Sequence, residues 1–138
     1  MDYKRDNAEF GSFIRKLRLA RGWTLLDCAN RVGISTNYVS QLERGVRDPT
    51  ESLIVKFATE YKIDEGILFR KASMISPDVR NVILRNDSLQ KALSYIHKNN
   101  LSQKKEREIM DRLFQDIAEF LNINVDDILN EDYLIIDD

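Results

Sequence analysis

Three glycines, Gly22, Gly33 and Gly45, cut the first third of the chain into pieces too short to be stable helices on their own. The first turn of a helix fixes several residues for one hydrogen bond, and a short helix has few further bonds to offset that. Whatever these pieces form, they must form together. In "FGSFIRKLRLAR", Phe10, Phe13, Ile14 and Leu17 recur at the three-and-four spacing of one helical face. Gly22 ends that helix. Thr24 caps a second helix over residues 25 to 32, with Gly33 as the turn behind it, and Ser35 caps a third that closes at Gly45. "RDPT" reads as a turn whose Thr50 caps a fourth helix, "ESLIVKFATEYK", and Asp64 caps a fifth, "EGILFRK". Five short helices packed as one bundle are expected.

"KASMISPD", residues 71–78, reads as a linker of small polar residues ending near Pro77. Beyond it, Val79, Val82 and Ile83 form one apolar stripe and Leu89, Ala92, Leu93 and Ile96 another, broken at "RND". Asn99-Asn100 is a turn, and Ser102 caps the longest helix, about 103–121. That helix carries Ile109, Met110, Leu113, Phe114, Ile117, Phe120 and Leu121, a stripe broader than one partner requires. Two occupants compete for it: neighbouring helices of the same chain, or a second copy. A faint echo links "KFATEYKIDEGILF" to "DIAEFLNINVDDIL", read as two similar helix-turn-helix ends rather than a repeat architecture. Only five Gly and two Pro occur, in keeping with helices throughout. The expected fold is all-α, with a five-helix unit over 1–70, the linker at 71–78, and a smaller α-helical unit over 79–138.

No apolar run approaches the roughly 18 residues of a membrane span, and "MDYKRDNAEF" lacks a signal-peptide core. One cysteine, Cys28, excludes an intrachain disulfide and suits a reducing cytoplasm. Its place in the second helix is that of a small buried hydrophobe, where a redox sensor would need an exposed, acidic thiol. The net charge is −2, but residues 1–75 carry 13 Lys and Arg against 10 Asp and Glu, and residues 76–138 carry 8 against 13. A basic half joined to an acidic half hints at a face for nucleic acid on the first.

The third helix sharpens that hint. Winding "STNYVSQLERG" at about 100° per residue puts Tyr38, Val39, Leu42 and Glu43 on one arc. Thr36, Asn37, Ser40, Gln41 and Arg44 fall on the other, a strip of hydroxyl, amide and guanidinium groups of the kind that reads base edges in a DNA groove. A plain solvated face is the alternative. Trp23 and Tyr61 read as core and capping aromatics, and His97 as a surface residue. With one Cys and one His far apart, no metal-ligand spacing and no phosphate-cradling glycine loop, no catalytic set, metal or cofactor is expected.

The second and third helices resemble the helix-turn-helix of the lambda-repressor/Cro type, the XRE family, over about residues 9–68. In "LLDCANRVGISTNYVSQL" the matching positions are Ala29 at a close helix crossing, Gly33 at the turn, and Val39 and Leu42 pinning the third helix to the second. The resemblance also implies a pair between Arg18, four residues before Gly22, and Glu43, which accounts for an acid on the inward arc. It further implies that the third helix lies in the major groove of double-stranded DNA. Thr36, Asn37, Ser40, Gln41 and Arg44 are then the base-contacting candidates, and Thr24, Tyr38 and Arg47 the backbone-contacting ones. Lys4 and Arg5 are candidates for an arm along the duplex, with a disordered terminus as the other reading. One departure stands out: many relatives carry Gln at the first position of the second helix, to bond a phosphate, and here it is Leu25.

The layout resembles short bacterial and phage repressors in which a helical hairpin follows the reading unit, dimerises, or receives an antirepressor. A dimeric repressor on a palindromic operator is expected, with Met110, Leu113, Phe114, Ile117, Phe120 and Leu121 as its dimer or partner interface. The rivals are an antitoxin that represses its own operon and binds a toxin, and a protein-bridging module of the same fold that reads no DNA. "VDDILNEDYLIIDD" holds six acids and no base. It is expected to finish the C-terminal core or add a strand to a partner chain. Docking an antirepressor, toxin or protease, and shielding the basic face, are its other readings.

Overall fold

The protein is described by a computed structural model over residues 5–129. The described residues are all-α, with no strand among them. Lys4 and the run Tyr133–Ile136 lie outside them.

The chain divides into two compact units, one ending at Ser76 and the other starting at Pro77. The first holds α1 (Ala8–Ala20), α2 (Leu25–Val32), α3 (Thr36–Glu43), α4 (Glu51–Tyr61) and α5 (Glu65–Lys71). Four of the five start at a side-chain cap. Thr24, Ser35, Thr50 and Asp64 accept from the backbone N–H of Asp27, Tyr38, Leu53 and Gly66 respectively, satisfying amides the helix leaves unpaired. α1 packs on α3 and α5, α2 on α3 and α4, and α4 on α5.

At the centre of this bundle Phe10 meets Phe57 edge to face at 6.3 Å, and Phe57, Tyr61 and Trp23 follow in a stacked series. Phe10, Phe57 and Tyr61 are wholly buried, each burial contributing roughly 1.5–3 kcal/mol. The Tyr61 hydroxyl donates to the Ile14 carbonyl at 3.4 Å and lies 3.6 Å from the Cys28 sulfur. Burial raises the pKa of both groups, so both keep their protons.

The segment read as a linker is shorter than 71–78. Lys71 closes α5, and Pro77 opens α6, its fixed φ suiting the first helical position. Of what remains, Ala72 and Ser76 are buried.

The second unit is built differently. It contains α6 (Pro77–Leu84), α7 (Asp87–Lys98), α8 (Gln103–Leu121) and α9 (Val125–Leu129), with α6 packed on α7 and α8 on α9. Among the described residues of this unit only Ala118 is buried. Met110 and Phe114 are half-buried, while Leu113, Ile117, Phe120 and Leu121 are open, Phe120 to 90%.

The echo in the sequence is a repeated corner in the structure. α4 ends with Lys62 at φ 56° and α8 with Asn122 at φ 54°. Ile63 N–H returns to the Ala58 carbonyl at 3.0 Å, as Ile123 N–H does to Ala118. Asp64 and Asn124 then each accept from a backbone N–H two residues on, both at 3.0 Å. The corners differ in what covers them. Phe57 and Tyr61 are wholly buried in the first, whereas the equivalent Ile117 and Leu121 are 41% and 57% exposed.

Candidate nucleic-acid interface

α2, its turn and α3 are set by local chemistry before any tertiary contact. Thr24 Oγ1 accepts from Asp27 N–H at 3.0 Å while the Asp27 carboxylate accepts from Thr24 N–H at 2.8 Å, a reciprocal capping box. The Thr24 backbone N–H first, and the Thr24 side chain second, hold the Asp27 carboxyl below the usual carboxylate range. α2 stops at Gly33, whose φ of 79° is costly for any residue with a Cβ. Ser35 Oγ then accepts from Tyr38 N–H at 3.0 Å and starts α3.

Three contacts fix α3 on the bundle. Val39 and Leu42 are wholly buried, and Ala29 on α2 is 2% exposed. Glu43 Oε1 accepts from Arg18 Nε at 2.6 Å and Oε2 from Nη2 at 3.1 Å, a bidentate pair with both side chains under 10% exposed. The remaining Arg18 nitrogen donates to the Trp23 carbonyl at 2.9 Å, so the guanidinium ties α3 to the α1–α2 turn. The bond to Glu43 is the main cause of an Arg18 pKa raised above its ordinary value.

The third contact has no side chain and escapes a reading by hydrophobic spacing. Gly11 is buried inside α1, and a Cβ there would lie 2.4 Å from the Leu42 carbonyl oxygen and 2.5 Å from that of Glu43. Only glycine lets the backbone of α1 approach α3 this closely. The available signal was a lone glycine within an otherwise regular helix.

Opposite these contacts lies the polar strip. Thr36, Asn37 and Arg44 are exposed, and Ser40 and Gln41 half-buried. Arg44 Nε bends back to the Ser40 carbonyl at 3.3 Å. Tyr38, placed by winding on the inward arc, is half-buried rather than core, with the Arg47 guanidinium 4.4 Å over its ring. Arg47 also donates to Gln41 Oε1 at 3.1 Å. Arg5 is exposed, and so is His97. Among the described residues no group of His, Cys, Asp and Glu is arranged to hold a metal ion.

A family model described as "Helix-turn-helix" matches residues 14–68. These residues are an XRE-family helix-turn-helix domain. The domain thus spans α1 from Ile14 through most of α5. An uncharacterized HTH-type transcriptional regulator of Mycobacterium tuberculosis is 30% identical over 83 residues, covering 57% of this chain and 59% of the relative. Another, of Mycobacterium bovis, is 38% identical over 68 residues, covering 49% of this chain and 27% of the relative. The chain thus spans less than two thirds of either relative. Among solved structures, the restriction-modification controller protein C.AhdI from Aeromonas hydrophila is 35% identical. That alignment covers 46% of this chain and 96% of C.AhdI, with a TM-score of 0.44.

Proposed function

We propose that this protein is a sequence-specific DNA-binding transcriptional regulator, a dimeric repressor that reads an inverted-repeat operator with α3. The observation that carries the reading is the division of α3. One side is locked by Val39, Leu42, Gly11 and the Arg18–Glu43 pair, and the other offers Thr36, Asn37, Ser40, Gln41 and Arg44 to solvent. A rigid helix with a polar face presents hydrogen-bonding groups at fixed positions, which is what base readout in a major groove requires. Arg47 and Tyr38 serve the phosphate backbone, which orients without specifying. Thr24 stands at the N-terminal end of α2, where a phosphate would approach the helix amides.

The dimer rests on the second unit. Its apolar residues on α8, half-buried Met110 and exposed Leu113, Ile117 and Phe120, spaced three, four and three apart, form the seam of a helix made to pair with another. Two reading units related by a two-fold would face half-sites about one helical turn apart. No helix among the described residues is long and apolar enough to cross a membrane, which accords with a regulator in the cytoplasm.

The test is fluorescence anisotropy on labelled DNA from upstream of the protein's own gene, beside a scrambled duplex, at two salt concentrations. Preferential binding to the native fragment, reduced by about 1–3 kcal/mol in Gln41→Ala, is the expected result. Equal and steeply salt-dependent binding to both duplexes would be phosphate attraction alone and would count against the proposal.

A further inference from the structure

We infer that Arg47 sets the base preference of Gln41 by fixing which end of its amide faces the DNA, and that the base selected is guanine. The inference rests on the proposal that α3 reads DNA and names the chemistry of one of its contacts. A glutamine amide has two faces to offer, a carbonyl that accepts and an NH2 that donates. A free glutamine can present both at once, which is how it grips adenine at N6 and N7. Gln41 is not free. Its Oε1 accepts from Arg47 Nη1 at 3.1 Å. A guanidinium carries donors only, so the carbonyl end must be the one turned toward it.

Arg47 is itself held. Its guanidinium lies over the Tyr38 ring at 4.4 Å, and Tyr38 sits half-buried one turn before Gln41 on the same helix. The loop bearing Arg47 is anchored directly after it. Asp48 accepts from the Asn7 amide at the start of α1, and Pro49 is buried. A cation stacked on an aromatic face and tied to a side-chain oxygen has two reasons to keep its place. The series Tyr38, Arg47, Gln41 therefore runs from the bundle to the outward strip and points the NH2 of Gln41 away from Arg47.

An amide that shows only its donor end prefers a base edge of acceptors only. In the major groove guanine offers two such acceptors, O6 and N7 side by side, where thymine shows a single O4 beside its methyl group and adenine presents a donor at N6 that an NH2 cannot satisfy. The neighbouring guanidinium charge favours the same choice. Arg47 is a positioning residue here, acting on the base through Gln41.

The experiment is selection of bound duplexes from a randomised library by the full-length protein, repeated with Gln41→Ala, Arg47→Met and Tyr38→Leu, the variants first checked for unchanged helicity. The position at which Gln41→Ala loses its preference marks the Gln41 contact. Wild type is expected to select guanine there. Arg47→Met, which keeps the length and removes the donors, should move the guanine-to-adenine ratio about ten-fold toward adenine, and Tyr38→Leu should move it the same way by less. If Arg47→Met weakens binding to all sequences alike and leaves that position unchanged, Arg47 is a phosphate contact only and the inference fails. Adenine already selected there by wild type would overturn it too. Failure of wild type to enrich any sequence would instead overturn the reading of α3 on which it stands.

Discussion

A methyl group at position 11 would have nowhere to go, because the atoms it meets are backbone carbonyls of α3 rather than side chains that can swing aside. Alanine is the better helix former by about 0.5–1 kcal/mol, but forced overpacking costs about 1–3 kcal/mol. Gly11→Ala is therefore expected to lower stability in urea denaturation. It should also weaken DNA binding, because relief of the overlap displaces the reading helix. The buried Tyr61 and Cys28 make a second prediction at this scale. Both have pKa values raised by burial, so above about pH 8.5 the unfolded chain releases protons that the folded chain retains. Stability should fall as pH climbs through the ordinary thiol and phenol values. Denaturation midpoints between pH 8 and 10.5 would show it, and Tyr61→Phe should flatten the upper part of the fall. A rising midpoint over that range would contradict the assignment. Spacing could show that Val39 and Leu42 share a face, because that property is local to one helix. It could not show Gly11 against α3 or Arg47 on Gln41, because each depends on where a separate element comes to rest.

α2 illustrates how an element serves both fold and site. The carboxylate of Asp27 completes its capping box and lies at the helix end that a phosphate would approach. Because the Asp27 pKa is lowered on folding, its contribution is present above the ordinary carboxylate pKa and lost as pH falls through the lowered value. Asp27→Asn should remove that part of the acid sensitivity. It should also tighten DNA binding at low salt by taking a negative charge from beside the backbone, measurable by anisotropy and urea titration on the same samples. The element boundaries were legible because caps are written in single residues. Ser102 and the span of α8 follow from a hydroxyl before an apolar rhythm, as do Thr24, Ser35 and Thr50 for their helices. The linker was misjudged for a related reason. Small polar residues mark where a helix ends, yet Pro77 belongs inside the next one, and Ala72 is small because it is buried.

At the scale of the whole chain the two units contrast. Nearly every large apolar side chain of α1, α4 and α5 has neighbours on all sides, whereas α8 keeps Leu113, Ile117, Phe120 and Leu121 in solvent. Periodicity announces such a stripe but not what covers it, so this part of the sequence left two occupants open. Phe120→Asp with Leu113→Asp is expected to give a monomer by sedimentation equilibrium, with the first unit still folded by circular dichroism and operator affinity reduced. An unchanged dimer would place the contact elsewhere. The open seam has a consequence for the cell. If occupancy of the operator requires two chains to meet, it rises as the square of the monomer's abundance while that abundance is low. Halving gene dosage, or diluting the protein by growth, would then release the promoter more abruptly than a one-chain switch allows. A protein that completed half of itself only on finding its like would, in effect, count its own copies.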